Sequence, residues 1–187
     1  MSEINLYVAL IHYPVTNKKG VSVGSALTTI DLHDIARASA TFGVSGFYVV
    51  TPYQDQIELA RELISHWTCG KGGDINPDRK QALRLIRLAH DFDQAIGEIE
   101  EECGKPVVAI ATSAKETGKG ISLNRLQHQL KNKAPHLLVF GTAWGLAKEL
   151  MDRCDHILEP ITGNTEYNHL SVRSAASIYL DRIINDR

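Results

Sequence analysis

The sequence predicts an α/β fold: about six strands in a parallel sheet with helices on both faces. Apolar runs alternate with amphipathic segments of roughly ten to fifteen residues from end to end, the rhythm of β-α-β units. The runs are apolar at consecutive positions, as strands covered on both faces are. The 187 residues, 43% hydrophobic and 22% charged, hold no linker, repeat or low-complexity stretch, so one domain over 1–187 accounts for the chain.

The elements follow in order. Residues 6–15 form the first strand. After a Gly/Ser/Thr-rich stretch, Asp31 caps a helix whose Leu32, Ile35, Ser39 and Phe42 share one face. Gly46 precedes a strand over 47–51, and Pro52 ends it. Ile57, Ala60, Leu63, Ile64 and Trp67 form the stripe of the next helix, and 69–77, with Gly70, Gly72 and Gly73, is a loop. A strand over 83–89 carries Arg84 and Arg87. The helix bearing Phe92, Ala95, Ile96, Ile99 and Cys103 ends at Gly104. A strand over 106–112 precedes a short helix with Leu123, Leu126 and Leu130. A strand over 137–140, a helix over 146–154 and a short strand over 156–159 follow. The last helix, from Asn168 onward, shows Val172, Ala176, Tyr179 and Ile183. Ligands of such sheets sit outside the carboxyl ends of the strands, here the loops after Val15, Thr51, Thr112, Phe140 and Glu159.

Composition narrows the function classes. Twenty Lys and Arg against 22 Asp and Glu give a net charge of −2, so a nucleic-acid partner requires a local basic patch or delivery by another chain. Lys18, Lys19, Lys71, Arg79 and Lys80 are the candidates for a patch. Cys69, Cys103 and Cys154 are scattered and form no C-x-x-C pair, which fits a reducing cytoplasm and buried small hydrophobes. The first residues lack the features of a signal peptide, and no apolar run approaches the ~20 residues that span a bilayer. Gly70-Lys71-Gly72-Gly73 fails the dinucleotide fingerprint, and Gly118-Lys119-Gly120 lacks the upstream glycine and following Ser/Thr of a P-loop. No G-x-S-x-G elbow occurs, and the eight histidines form no close ligand pair, so no metal is expected.

The informative residues lie toward the C-terminus. Phe140-Gly141-Thr142-Ala143-Trp144-Gly145-Leu146 is a strand-to-helix turn flanked by glycines, which permit close approach of a flat ligand. Leu158-Glu159-Pro160-Ile161 is a strand end with a proline stop. Asn168-His169-Leu170-Ser171-Val172-Arg173-Ser174-Ala175-Ala176 opens the last helix with small residues that admit close packing. In this order and spacing the three segments resemble the motifs of the SPOUT superfamily of S-adenosylmethionine-dependent RNA methyltransferases: a strand followed by G-x-E-x-x-G-L, a strand ending I-P-M/I, and S-L-N-V-S-x-A-x-A-I. Asp31-Leu32-His33-Asp34-Ile35-Ala36-Arg37-Ala38, with Phe42-Gly43-Val44, resembles the first motif, N-x-x-x-x-x-R-a…fGv. The resemblance covers most of the chain and is nearest to small stand-alone members related to the tRNA guanine-N1 methyltransferase branch. Asp31 replaces the usual Asn, the turn after Phe140 is one residue short and lacks its Glu, and His169 replaces the Ser before Leu170.

The resemblance implies a C-terminal trefoil knot, a rarity among folds, formed as the chain beyond about Pro135 threads a loop. It implies S-adenosyl-L-methionine as cofactor, RNA (tRNA the expected class) as substrate, and a homodimer. Adenine would lie among Leu158, Ile161 and Leu170, with Thr112, Ser113 and Gly141 closing the other side. Phe140, Thr142, Gly145, Leu146, Pro160 and His169 complete the cofactor site, and Glu159 is a candidate partner for the cofactor amine. Asn168 and Ser171 contact cofactor or simply cap the helix. Trp144 reads as core or as a cover over cofactor or base.

Arg37 is the catalytic candidate. It lies about 200° round the helix from Ile35, away from the apolar face, and a guanidinium fork matches phosphate oxygens. The competing reading is a surface arginine paired with a carboxylate. His12, Asn76, Arg79 and Arg173 are candidate substrate contacts: His12 ends the first strand, Asn76 and Arg79 follow the glycine loop, and Arg173 opens the last helix. Methylating a ring nitrogen or a ribose 2′-hydroxyl needs a base or a cation at the nucleophile. The rival function is a catalytically silent S-adenosylmethionine-binding dimerisation or regulatory module, and a third reading is an unknotted flavodoxin-like nucleotide-binding domain.

Overall fold

Strand β1 (Leu6–Ile11) is the axis of the molecule. All six of its residues are buried, because it is paired on both edges and covered on both faces. The computed structural model describes residues 4–116 and 120–185; the Gly118-Lys119 pair tested above against the P-loop pattern lies outside them.

After β1 a small hairpin, β2 (Val15–Thr16) and β3 (Ser22–Val23), leads to helix α1 (Thr29–Thr41) and strand β4 (Gly46–Val50). Helices α2 (Gln54–Thr68), α3 (Lys71–Ile75) and α4 (Pro77–Leu83) precede β5 (Ile86–Ala89). Then come α5 (Phe92–Cys103), β6 (Val108–Ala111), β7 (Gly120–Ile121), α6 (Leu123–Leu130), β8 (His136–Gly141), α7 (Lys148–Met151), β9 (His156–Leu158) and α8 (Val172–Asn185).

The main sheet has seven strands in the order β5-β4-β1-β8-β6-β9-β7, and every pairing is parallel. Alternation along β1 divides the core. Leu6, Val8 and Leu10 face the side covered by α1, α4, α6 and α8, while Tyr7, Ala9 and Ile11 face α5 and α7. On the first side Leu32 and Ile35 of α1 and Ala176, Tyr179 and Leu180 of α8 are buried together. The buried Tyr179 hydroxyl, its pKa pushed up to about 12 by burial, donates to the Glu159 carbonyl at 2.7 Å.

Local chemistry explains where the elements differ from the sequence reading. The seventh strand, β7, is two residues long, too short to leave an apolar run. The expected loop over 69–77 contains α3, and the expected strand over 83–89 begins only at Ile86. Asn76 caps α4 by accepting from the Arg79 amide at 3.0 Å, and Pro77 pre-sets its first turn, so Leu83 ends a helix instead of starting a strand. Thr28, not Asp31, is the N-cap of α1. The Thr28 hydroxyl donates to the Asp31 carboxylate at 2.6 Å and accepts from the Asp31 amide at 3.3 Å. The first strand stops at Ile11 because Pro14 has no amide proton for a ladder. The helix expected over 146–154 is reduced to α7.

Replacing Tyr179 with Phe leaves the Glu159 carbonyl without its buried donor. The expected loss is about 1–2 kcal/mol of unfolding free energy, read from urea midpoints at neutral pH.

Candidate active site

The site is built where β8, β6 and β9, neighbours in the sheet, end at their carboxyl edge. The turn leaving β8, residues 141–146, is closed by the Gly145 amide donating to the Thr142 carbonyl at 2.9 Å. Both the amide and the hydroxyl of Thr142 donate to the Ile11 carbonyl, at 3.2 and 3.0 Å. The Trp144 amide donates to the Thr16 carbonyl at 3.1 Å, and the Thr16 amide donates back to Gly145 at 2.9 Å. Gly141 is obligatory, since a Cβ there would stand 2.4 Å from the Leu146 amide nitrogen. Gly145 has φ +101°, and Ala143 has φ 52°, a left-handed conformation that costs an alanine about 1–2 kcal/mol. Phe140 and Leu146 are buried beneath the turn, whereas Trp144 stands 62% exposed. Trp144 is therefore not core.

His12, Ser25 and Thr142 form a chain behind this turn. His12 is fully buried, its Nδ1 lies 3.0 Å from Ser25 Oγ, and that hydroxyl bonds the Thr142 hydroxyl. Nε2 of His12 is buried with no partner among the described residues. Burial holds the imidazole below its ordinary pKa of 6.5, against the opposing pull of Asp31. His12 thus backs the turn and does not face solvent. Ser25 and Thr16 were not singled out from the sequence. The readable signal was Asn17 to Gly20 between Val15-Thr16 and Val21-Ser22-Val23, a hairpin pattern.

At the end of β6, Thr112 donates through both its amide and its hydroxyl to the Val139 carbonyl, each at 2.9 Å, and Ser113 accepts from the Lys115 amide. At the end of β9, Leu158 is buried, Ile161 and Pro160 are half-buried and Leu170 is 47% exposed. The Glu159 amide donates to Ile121 and its Oε1 accepts from the Leu123 amide at 3.0 Å, which leaves Oε2 without a partner among the described residues. Asn168 Nδ2 donates to the Ala114 carbonyl at 2.9 Å, tying the approach to α8 to the loop after β6. His169 packs edge-on to Tyr167, and Ser171 Oγ accepts from the Ser174 amide. Between 161 and 170 Tyr167 alone has a backbone amide partnered among the described residues. Exposed main-chain groups of this kind are open to a ligand's hydrogen bonds.

On the adjoining face, Arg173 of α8 reaches Asp31 Oδ1 at 3.0 Å and Asp34 Oδ2 at 3.4 Å. Its guanidinium is therefore neutralised by α1. Arg37 lies in the groove between α1 and α8, beside Asp34, Thr41, Arg173 and Ser174, and has no ion-pair partner among the described residues. Asn76 and Arg79 are placed elsewhere. Asn76 is engaged as a cap, and Arg79 stacks over Trp67 at 4.7 Å, on helices that lead into the edge strand β5. Among the described residues no group of three or more His, Cys, Asp or Glu could hold a metal ion.

A family model described as SAM-dependent RNA methyltransferase matches residues 5–185. The chain belongs to this family of S-adenosylmethionine-dependent RNA methyltransferases. It is 50% identical over 182 residues, 97% of its length, to a tRNA (guanine-N(1)-)-methyltransferase of Oleidesulfovibrio alaskensis, and it covers 42% of that protein. It is 37% identical to an uncharacterised protein of Aquifex aeolicus, covering 97% of this chain and 89% of that one. The chain thus spans about two-fifths of the O. alaskensis relative and most of the A. aeolicus one. In fold it is similar to the SpoU methyltransferase AviRb of Streptomyces viridochromogenes, with a TM-score of 0.61, 16% identity, and coverage of 99% of this chain and 60% of that one. The SPOUT assignment and the α/β fold hold.

Burial also depresses the pKa of His136, at the start of β8. Below 6.5 the unfolded chain binds protons that native His12 and His136 refuse, so their stabilisation is complete above 6.5 and falls away as pH drops towards the depressed native values. Urea midpoints are expected to decline between pH 7.5 and 5.5, and less steeply in His12→Gln.

Proposed function

We propose that this chain transfers a methyl group from S-adenosylmethionine to RNA, with tRNA the substrate class, as a cytoplasmic homodimer. The observation that carries the reading is the family match over 5–185, together with the adjoining strand ends that bear the turn at 141–146, residues 158–161 and residues 168–171. The longer relative's printed activity belongs to a protein of which this chain covers 42%, so guanine N1 stands beside the ribose 2′-hydroxyl as a target atom.

Bound S-adenosylmethionine supplies an electrophilic methyl group on its sulfonium. Leu158, Ile161 and Leu170 would hold the adenine, and the unpartnered amides between 161 and 170 would supply hydrogen bonds to it. Thr112, Ser113 and the turn with Thr142 close the opposite wall and exclude water. Glu159 Oε2 is the carboxylate oxygen available to the cofactor amine. Arg37, unpaired in the α1–α8 groove, holds the substrate phosphate and stabilises negative charge at the nucleophile. That groove, lined by Ala38, Phe42 and Ile178 beside its polar groups, is the surface through which two copies pair.

The chain path supports the knot. Strand β9 lies between β6 and β7, with Ala111 and Gly120 both in register with Ile157. Asn168, beyond β9, donates to the Ala114 carbonyl in the segment that follows β6. Residues 1–187 act as one such unit.

Calorimetry with S-adenosylmethionine and tritium transfer into unmodified tRNA test the proposal. No heat at high micromolar cofactor refutes it, and binding without transfer into any RNA leaves the silent module. Gly141→Ala, which forces the turn open, is expected to abolish cofactor binding. Arg37→Ala is expected to lower transfer by about 100-fold or more with cofactor affinity unchanged.

A further inference from the structure

We infer that the β2–β3 hairpin and the neighbouring Trp144 form the grip for single-stranded RNA beside the cofactor loops, with Lys18 and Lys19 on phosphates and the indole under a base. This rests on the RNA-methylating reading above and names the surface that the substrate meets.

The net charge of −2 leaves no whole-molecule attraction for a polyanion, so unpaired local cations must supply it. Some of the basic side chains are already neutralised by carboxylates. Arg173 is held by Asp31 and Asp34, Lys148 by Asp152, Arg153 by Asp93 and Arg87 by Glu102. Lys18 and Lys19 are exposed, adjacent in sequence and without an ion-pair partner among the described residues. Their backbone is fixed. Asn17 Oδ1 accepts from the Lys19 amide at 2.8 Å and the Val21 amide at 3.1 Å, and Gly20, at φ +76°, completes the turn.

The indole is held out by the same framework. Trp144 sits between two residues with left-handed backbone, and its amide is tied to Thr16, two residues before Lys18. An exposed indole beside cations is a stacking platform for an unpaired base, whereas a duplex keeps its bases stacked and out of reach. The hairpin and the cofactor turn are bonded together, through Thr16 with Gly145, Val15 with Leu146, and the Ser22 hydroxyl donating to Glu149 at 3.1 Å. Glu149 is the nearby acidic group, and that bond directs one of its oxygens to the hairpin.

The test is fluorescence anisotropy of a mixed-sequence single-stranded oligoribonucleotide over a salt series, on the full chain, with calorimetry for the cofactor. Lys18→Ala/Lys19→Ala is expected to weaken binding and flatten the slope of log affinity against log salt by about 1.4, two phosphate contacts' worth. Trp144→Ala is expected to weaken binding roughly tenfold with the slope unchanged, and Trp144→Phe to restore most of it. Cofactor affinity stays at the wild-type value in the Lys18→Ala/Lys19→Ala variant. Wild-type affinity for RNA in both alanine variants, equal binding of a duplex, or a dimer that dissociates in Trp144→Ala overturns the inference while RNA methylation by the wild type stands. A wild-type chain that neither binds nor methylates RNA overturns the functional reading and this inference together.

Discussion

The carbonyl oxygen of Ile11 receives both the amide and the hydroxyl of Thr142, a residue 131 positions later in the chain. It stands on the last rung of the β1–β8 ladder, where Ile11 pairs with Gly141. The turn at 141–146 is therefore an extension of the most buried part of the sheet. Ordering a free loop costs roughly 1–2 kcal/mol per residue in backbone entropy, and here the bonds to β1 and the hairpin offset that cost before any ligand arrives. His12 and Ser25 complete the support from behind, inside the core.

Ion pairing gives the rest of the surface its character. Arg87 lies against the rings of Tyr7 and Tyr48 and reaches Glu102, while Arg153 covers Phe92 and meets Asp93. Partly exposed pairs of this kind contribute at most about 1 kcal/mol each. Their other effect is electrostatic, because each cancels a positive charge where it stands. The Arg173 contacts with Asp31 and Asp34 do something further, since they fasten the first turn of α8 to the first two turns of α1, beside the groove holding Arg37.

The shared sequence recurs in two settings, as about two-fifths of the O. alaskensis protein and as most of the A. aeolicus one. The structure is consistent with both. The region matched by the family holds a central strand buried on all sides and an apolar layer on each sheet face.

The sequence by itself determined the α/β class, the buried strands and the glycine turn after Phe140, because those features are written in contiguous runs of residue type whose periodicity maps onto burial. Thr142, Gly145, Leu158 and Leu170 could be named as candidates because the motifs that hold them are contiguous in sequence. Tertiary structure alone decided which polar groups remained free. Asn76 was absorbed as a helix cap, Arg173 as a partner of two carboxylates and His12 as a buried support, while Trp144 was turned outward and Lys18 and Lys19 were left unpaired. A hydrogen bond or ion pair between residues more than a hundred positions apart leaves no local trace in composition, so the use of a polar side chain becomes visible only when the chain brings its partner to it.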